Sequence, residues 1–150
     1  MSATDMAGSN APAPVQVPGV AGARQVVGST WSSCAVLDDG HVACWGFGPR
    51  GDGVALDAAW ETGEAGVVLV DGLDNAVAIT GAWGVWCALR RGGTVACWGM
   101  NSSGQLGNGG GPDAWSPVTV HGISTAVALD TNGDTTCAAL SSGHVRCWGS

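Results

Sequence analysis

Three times the chain writes a cysteine, nine further residues, and then Cys-Trp-Gly: Cys34 to Cys44-Trp45-Gly46, Cys87 to Cys97-Trp98-Gly99, and Cys137 to Cys147-Trp148-Gly149. All six cysteines fall in this pattern, at one spacing. Pairing inward from each couple leaves three residues: Asp38-Asp39-Gly40, Arg91-Gly92-Gly93 and Ser141-Ser142-Gly143. A three-residue connection that closes on glycine is a β-hairpin turn, because that last position takes positive φ.

Counting outward from the turn sets the two cysteines of each hairpin opposite one another, at a non-hydrogen-bonded pair. Cα atoms approach to roughly 4.5 Å at such a pair, within reach of a disulfide. A disulfide across so short a loop adds somewhat under about 3 kcal/mol by loop entropy. Buried free thiols are the alternative, since cysteine packs as a small apolar residue. Zinc fits poorly, because paired zinc ligands are spaced two to four residues apart, and no metal or other cofactor is expected.

The same counting assigns faces. Cys34, Val36, Val42 and Cys44 share a side, as do Cys87, Leu89, Val95 and Cys97, and Cys137, Ala139, Val145 and Cys147. That side is apolar in all three copies and is expected to face a core. The other side is mixed and carries Trp45, Trp98 and Trp148, whose recurrence at one position marks a structural role.

The hairpin sits inside a longer repeat. Cys34 to Cys87 is 53 residues and Cys87 to Cys137 is 50. Gly19, Gly72 and Gly122 precede each first cysteine by the same distance, and before each lies a Val-x-Val pair: Val15/Val17, Val68/Val70 and Val118/Val120. After it come Ala23/Val26, Ala76/Ile79 and Ala126/Leu129. Apolar alternation and glycine punctuation dominate, with no helical period. Each unit reads as four strands: an Ala-Val/Ile segment, the two hairpin arms, and a Val-x-Val segment arriving after a long loop. Four strands in about 50 residues is a propeller blade, so the fold class is all-β, an incomplete ring of antiparallel blades. The divisions are a disordered lead at 1–13, then repeats at 14–66, 67–116 and 117–150.

Val-x-Val-x-Gly, Cys-Ala-Leu, Gly-x-Val-x-Cys-Trp-Gly and the run Asn101-Ser102-Ser103-Gly104-Gln105-Leu106-Gly107-Asn108-Gly109 together resemble the repeat of the regulator of chromosome condensation family. The cysteine-paired form is similar to the family's bacterial branch. The resemblance covers nearly all of 14–150. The Asn-to-Gly run is intact only in the second unit; the first has Phe47-Gly48-Pro49-Arg50-Gly51-Asp52-Gly53 instead. The resemblance implies a propeller of about seven blades, of which three are written here. The chain opens on a fourth-type strand, Val15–Val17, and stops after a third-type strand. Exposed blade faces at both ends point to a fragment of a larger ring or to self-association that closes one.

Composition narrows the partners. With 12 acids against five arginines and no lysine, the net charge is −7. Nucleic-acid binders present a basic face to phosphates, and anionic membranes need one too, so neither is expected. No apolar run approaches the ~20 residues of a membrane helix. The start has no basic and apolar segment of signal-peptide type, whereas regularly paired cysteines suggest an oxidising, extracytoplasmic or secreted setting.

Alternating strand direction sorts the connections onto two ends. The hairpin turns share one end with the links after Gly19, Gly72 and Gly122. The other end collects the loops between first and second strands and the long loops after Cys-Trp-Gly. That end holds Trp31, Trp60, Trp83 and Trp115, beside Asp57, Glu61, Glu64 and Asp113. Exposed Trp rimmed by acids suits binding of another protein; the competing reading is that these Trp fold back to seal gaps between blades. His41 and His144 recur at one position beside a turn, and His121 has no identifiable partner, so no catalytic set emerges. Arg50-Gly51-Asp52 matches an integrin-type tripeptide and Asn101-Ser102-Ser103 a glycosylation acceptor, but both lie in the repeat's loop segment. The expected function is a non-enzymatic protein-interaction module. The resemblance implies, as alternatives, nucleotide exchange on a small GTPase or a secreted propeller-type enzyme inhibitor.

Overall fold

The computed structural model describes residues 13–56, 58, 61 and 66–150. Eleven strands form three antiparallel sheets. The first contains β1 (Ala23–Gly28), β2 (Ser32–Leu37), β3 (Val42–Gly46) and β4 (Val68–Leu69), in that spatial order. The second contains β5 (Ala76–Ala82), β6 (Val85–Arg90), β7 (Val95–Gly99) and β8 (Ala114–Thr119). The third contains β9 (Ala126–Thr131), β10 (Thr135–Leu140) and β11 (Val145–Gly149). These are two four-stranded propeller blades and a three-stranded one.

The hairpins form in the expected register. Leu37 N–H donates to His41 O at 2.9 Å, closing the turn, and Val36, Ala35 and Cys34 then face Val42, Ala43 and Cys44. Cys87 faces Cys97 and Cys137 faces Cys147 in the same way. All three pairs are disulfide-bonded, with Cα atoms 4.1, 4.0 and 4.1 Å apart. Gly40, Gly93 and Gly143 end their turns at φ of +89°, +91° and +84°. Within the first turn the Asp39 carboxylate accepts the His41 N–H at 3.0 Å, which holds that carboxyl below its ordinary pKa.

The glycine of Cys-Trp-Gly has its own reason. Gly46, Gly99 and Gly149 take φ of +100°, +110° and +102°, and a Cβ there would strike the carbonyl of Trp31, Gly84 or Asp134. The chain leaving each hairpin crosses directly over the preceding turn, and only a residue without a side chain fits.

Blades stack face on face. One core joins Cys34, Val36, Val42 and Cys44 of blade 1 to Trp86, Ala88, Ala96 and Trp98 of blade 2. A second joins Val85, Cys87, Leu89, Val95 and Cys97 of blade 2 to Ala138 of blade 3, with Trp148 packed at its margin. The mixed side is therefore not an outer surface in blade 2: Trp86 and Trp98 are fully buried, because the cysteine face of one blade needs an apolar partner and the next blade's opposite side supplies it. The expectation of a core at every cysteine face fails in blade 3. Cys147 is exposed and Val145 is 65% exposed, since nothing described packs there. At the other end of the stack, Val26 (65%) and Leu69 (53%) remain open on the face that carries Trp45.

The first strands of successive blades lie side by side. The Gln25 amide straddles Ile79, its Nε2 donating to Ile79 O at 3.0 Å and its Oε1 accepting Ile79 N–H at 2.9 Å. Thr80 Oγ1 donates to Asp130 Oδ1 at 3.5 Å one blade on. Turns are tied across as well, with Ala76 N–H to Gly40 O and Ala126 N–H to Gly93 O, both 2.9 Å. The expected opening strand Val15–Val17 does not form. A Val-x-Val strand needs a third-type strand to bond to, as β4 has in β3 and β8 in β7, and no described strand is free beside it.

Candidate functional site

The segments that follow Cys-Trp-Gly, around Pro49 and around Gln105, are bonded to the next blade. The Trp98 indole N–H donates to Pro49 O at 3.2 Å, and the Trp148 indole N–H donates to Gln105 O at 2.9 Å. Two residues beyond each carbonyl a glycine continues the equivalence. Gly51 O accepts Asp71 N–H and Gly107 O accepts His121 N–H, both at 2.8 Å. The divergent first loop thus keeps the two backbone positions that the intact second loop uses.

This placement decides the two short motifs. Arg50 is 3% exposed and sits 3.1 Å from Asp52, at the loop position that Leu106 fills in the next repeat. The Arg-Gly-Asp tripeptide is wedged between blades and presents no free arginine. Asn101 is 4% exposed. Its Nδ2 reaches Asn108 Oδ1, Gly111 O and Pro112 O at 3.3, 3.2 and 3.4 Å, and its Oδ1 accepts Leu106 N–H at 3.1 Å. A side chain so occupied folds the loop and is closed to a glycosyl donor.

The tryptophans expected at the loop end separate. Trp31 and Trp83 lie in the turns joining β1 to β2 and β5 to β6. Trp31 is 39% exposed, and its ring edge comes to 3.5 Å from where a Cβ on Gly84 would stand. Trp83 is 66% exposed and takes φ of +45°, the one non-glycine residue with positive φ among those described. With Gly84 at φ +79° it makes a two-residue turn of the I′ kind. A left-handed backbone costs an L-residue roughly 1–2 kcal/mol, so this turn holds a large aromatic out at an energetic cost. Met100 lies on the Trp31 side, its sulfur 2.9 Å from the same Gly84 Cβ position, whereas the Trp83 ring comes to 3.4 Å from where a Cβ on Gly133 of blade 3 would stand. Trp31 and Met100 thus flank Gly84, and Trp83 reaches from the same turn to Gly133 of blade 3, all at the inner rim of the loop end.

Trp115 lies elsewhere. It is the second residue of β8 rather than part of a loop, half-buried, and its carbonyl accepts Gly53 N–H at 3.0 Å. The edge strand β8 is three strands away from β5, about 14 Å at ordinary strand spacing. Asp113 is exposed, and its carboxylate accepts Asn101 N–H at 2.8 Å. Glu61 is exposed. Trp60, Asp57 and Glu64 fall outside the described residues.

Sequence reasoning passed over two members of this end, Met100 and Asp134. Counting back from the first cysteine of each hairpin finds Asp134, because it occupies the position of Trp31 and Gly84 in its own repeat. Among the described residues no group of three or more His, Cys, Asp or Glu side chains is placed to hold a metal ion.

No protein-family model and no curated protein matches the sequence. Solved structures do. Human WBSCR16 superposes with a TM-score of 0.73 at 19% identity, over 85% of this chain and 33% of that one. A chain of the structure of Kap60 bound to yeast RCC1 (Prp20) gives 0.71 at 15% identity, over 87% and 33%. Prp20p from Saccharomyces cerevisiae, described with its binding properties to Gsp1p and histones, gives 0.70 at 17%, over 87% and 34%. This chain spans about a third of the length of each, and the shared property is the fold: RCC1-type β-propeller blades.

Proposed function

We propose that these three RCC1-type blades serve as a non-enzymatic protein-interaction module whose contact surface is the inner rim of the loop end. The observation that carries the reading is Trp83, two-thirds exposed and held at φ +45°. Interface hot spots are enriched in Trp, and backbone strain persists where function retains it. Two of the similar structures are of proteins described as bound to, or binding, other proteins, which supports a protein partner of some kind. The three disulfides support an oxidising, extracytoplasmic setting. The test is site-specific photo-crosslinking in an extract of the native source. A crosslinker at position 83 is expected to trap a discrete protein, and one at Ser142 on the opposite end is not. Equal trapping at both positions, or none at 83, overturns the reading. A stimulated release of nucleotide across a panel of small GTPases would move it to the exchange-factor alternative.

The two open faces fit stacking, either on further blades of a longer ring or on a second copy of this chain, and the second case is tested directly. Inside the chain a cysteine face closes on a Trp-bearing face twice, and one face of each kind is left over, around Val145 and around Val26 and Leu69. Sedimentation velocity is expected to show concentration-dependent assembly that Val145→Asp abolishes; a monomer at every concentration refutes it.

A further inference from the structure

Charge is sorted along the propeller axis. All three histidines and four of the five arginines lie at the hairpin-turn end: Arg24 where β1 begins, Arg90 and Arg91 at the β6–β7 turn, Arg146 beside the last turn, His41 and His144 next to turns, and His121 in the link after β8. Arg146 is held there by its bond to Gly122 O at 3.1 Å. Asp38, Asp39, Asp71 and Asp74 lie at the same end and balance the four arginines. The fifth arginine is the buried, ion-paired Arg50. Among the described residues, the loop end therefore exposes no cationic side chain. It exposes three carboxylates: Asp134, next to the Gly133 against which Trp83 packs, Asp130, which accepts from Thr80 Oγ1, and Asp113 at the start of β8, which accepts Asn101 N–H.

From this arrangement we infer that the loop-end patch docks a cationic segment of a protein partner, with Lys or Arg side chains set over the Trp83 and Trp31 rings and facing the three carboxylates. The inference rests on the interaction-module reading and names the chemistry of its partner. An exposed indole attracts a guanidinium or ammonium through the negative face of its ring. Carboxylates without competing cations add long-range attraction, which screens within about 10 Å at 0.1 M salt. An acidic or purely apolar partner would gain nothing from the absence of arginine at this end and its abundance at the other.

The probe is a short oligo-arginine peptide, with the uncharged citrulline peptide of equal length as control, titrated against the full chain by Trp fluorescence. Binding of the arginine peptide alone, weakening with salt, is expected. Trp83→Gly suits the existing φ and should leave the melting temperature no lower while reducing affinity about two- to fivefold. Asp134→Lys should reduce it further, and Asp39→Asn at the turn end should not change it. Unchanged affinity in both loop-end variants, or a larger loss in Asp39→Asn, overturns the inference. If position 83 crosslinks a protein and the arginine peptide does not compete, the docking surface stands and its cationic partner falls. If nothing crosslinks at 83, the docking reading itself fails, whatever the peptide does.

Discussion

The Trp98 side chain of blade 2 donates its indole N–H to the backbone carbonyl of Pro49 in blade 1, at 3.2 Å and fully buried. Trp148 repeats this toward Gln105 at the next interface. In blades 2 and 3 the Trp of Cys-Trp-Gly is thus a rivet that fastens the blade to the long connection of the one before it.

Removing the rivet should be costly in graded steps. Trp98→Phe keeps most of the apolar volume and loses the bond to Pro49 O, costing about 1–2 kcal/mol. Trp98→Ala opens a cavity between blades as well, costing about 3–5 kcal/mol. Urea unfolding under non-reducing conditions measures both, and a Trp98→Phe variant as stable as the parent would mean the indole N–H contributes nothing.

The glycine beneath each rivet should tolerate no methyl group. A Cβ at Gly107 would come within 2.8 Å of the Trp148 ring and 2.9 Å of Val120, and one at Gly51 within 2.7 Å of Val70. Gly107→Ala and Gly51→Ala are expected to cost about 2–4 kcal/mol, the sum of a left-handed backbone and overpacking. Gly72 has φ +63° with open space around it, so Gly72→Ala should cost only the backbone part, about 1 kcal/mol. Thermal melts of the three variants decide whether packing or φ governs these positions.

Asn101→Ala should loosen the whole second loop. It leaves the fully buried Leu106 N–H without its acceptor and frees the Gly111 and Pro112 carbonyls, a loss of about 2–3 kcal/mol. Because Gln105 O lies in the same loop and holds Trp148, the variant should also show more rapid hydrogen exchange in β11. Exchange confined to residues 101–113 would show that the loop is not coupled to blade 3.

The disulfides should differ in their reaction with thiols. Cys34, Cys44, Cys87 and Cys97 are at 0% exposure inside the blade interfaces, whereas Cys147 lies on the open face of blade 3. Exchange requires a thiolate to reach a sulfur, so limited reduction of dilute protein followed by alkylation and peptide mapping should label Cys137 and Cys147 first. Simultaneous labelling of all three pairs would mean that the interfaces open as readily as the exposed face.

The hairpins were fully legible in the sequence because their information is local. Nine residues between cysteines and a glycine at the third turn position leave one register, and that register pairs Cys34 with Cys44 and its two counterparts. The repeat length and the alternation of Val and Ala carried the blade. What surrounds each blade was not legible, since it depends on residues about 50 positions away. Nothing local distinguishes Trp86 and Trp98, sealed between two sheets, from Trp83, which the neighbouring turn holds out in solvent. Nothing local marks Arg50 as buried, or Trp115 as a strand residue.

The sequence by itself determined the hairpin strands, their register and the facing of the cysteines in each pair, because β-hairpin geometry is set by turn length and by the two-residue period of the side chains. Only the tertiary structure decided which face of each blade is core, why a divergent loop still presents Pro49 O and Gly51 to its neighbour, and how the cations came to collect at one end. Those outcomes arise from stacking one sheet on the next, where burial of apolar area and satisfaction of buried N–H groups are settled between blades and not along the chain.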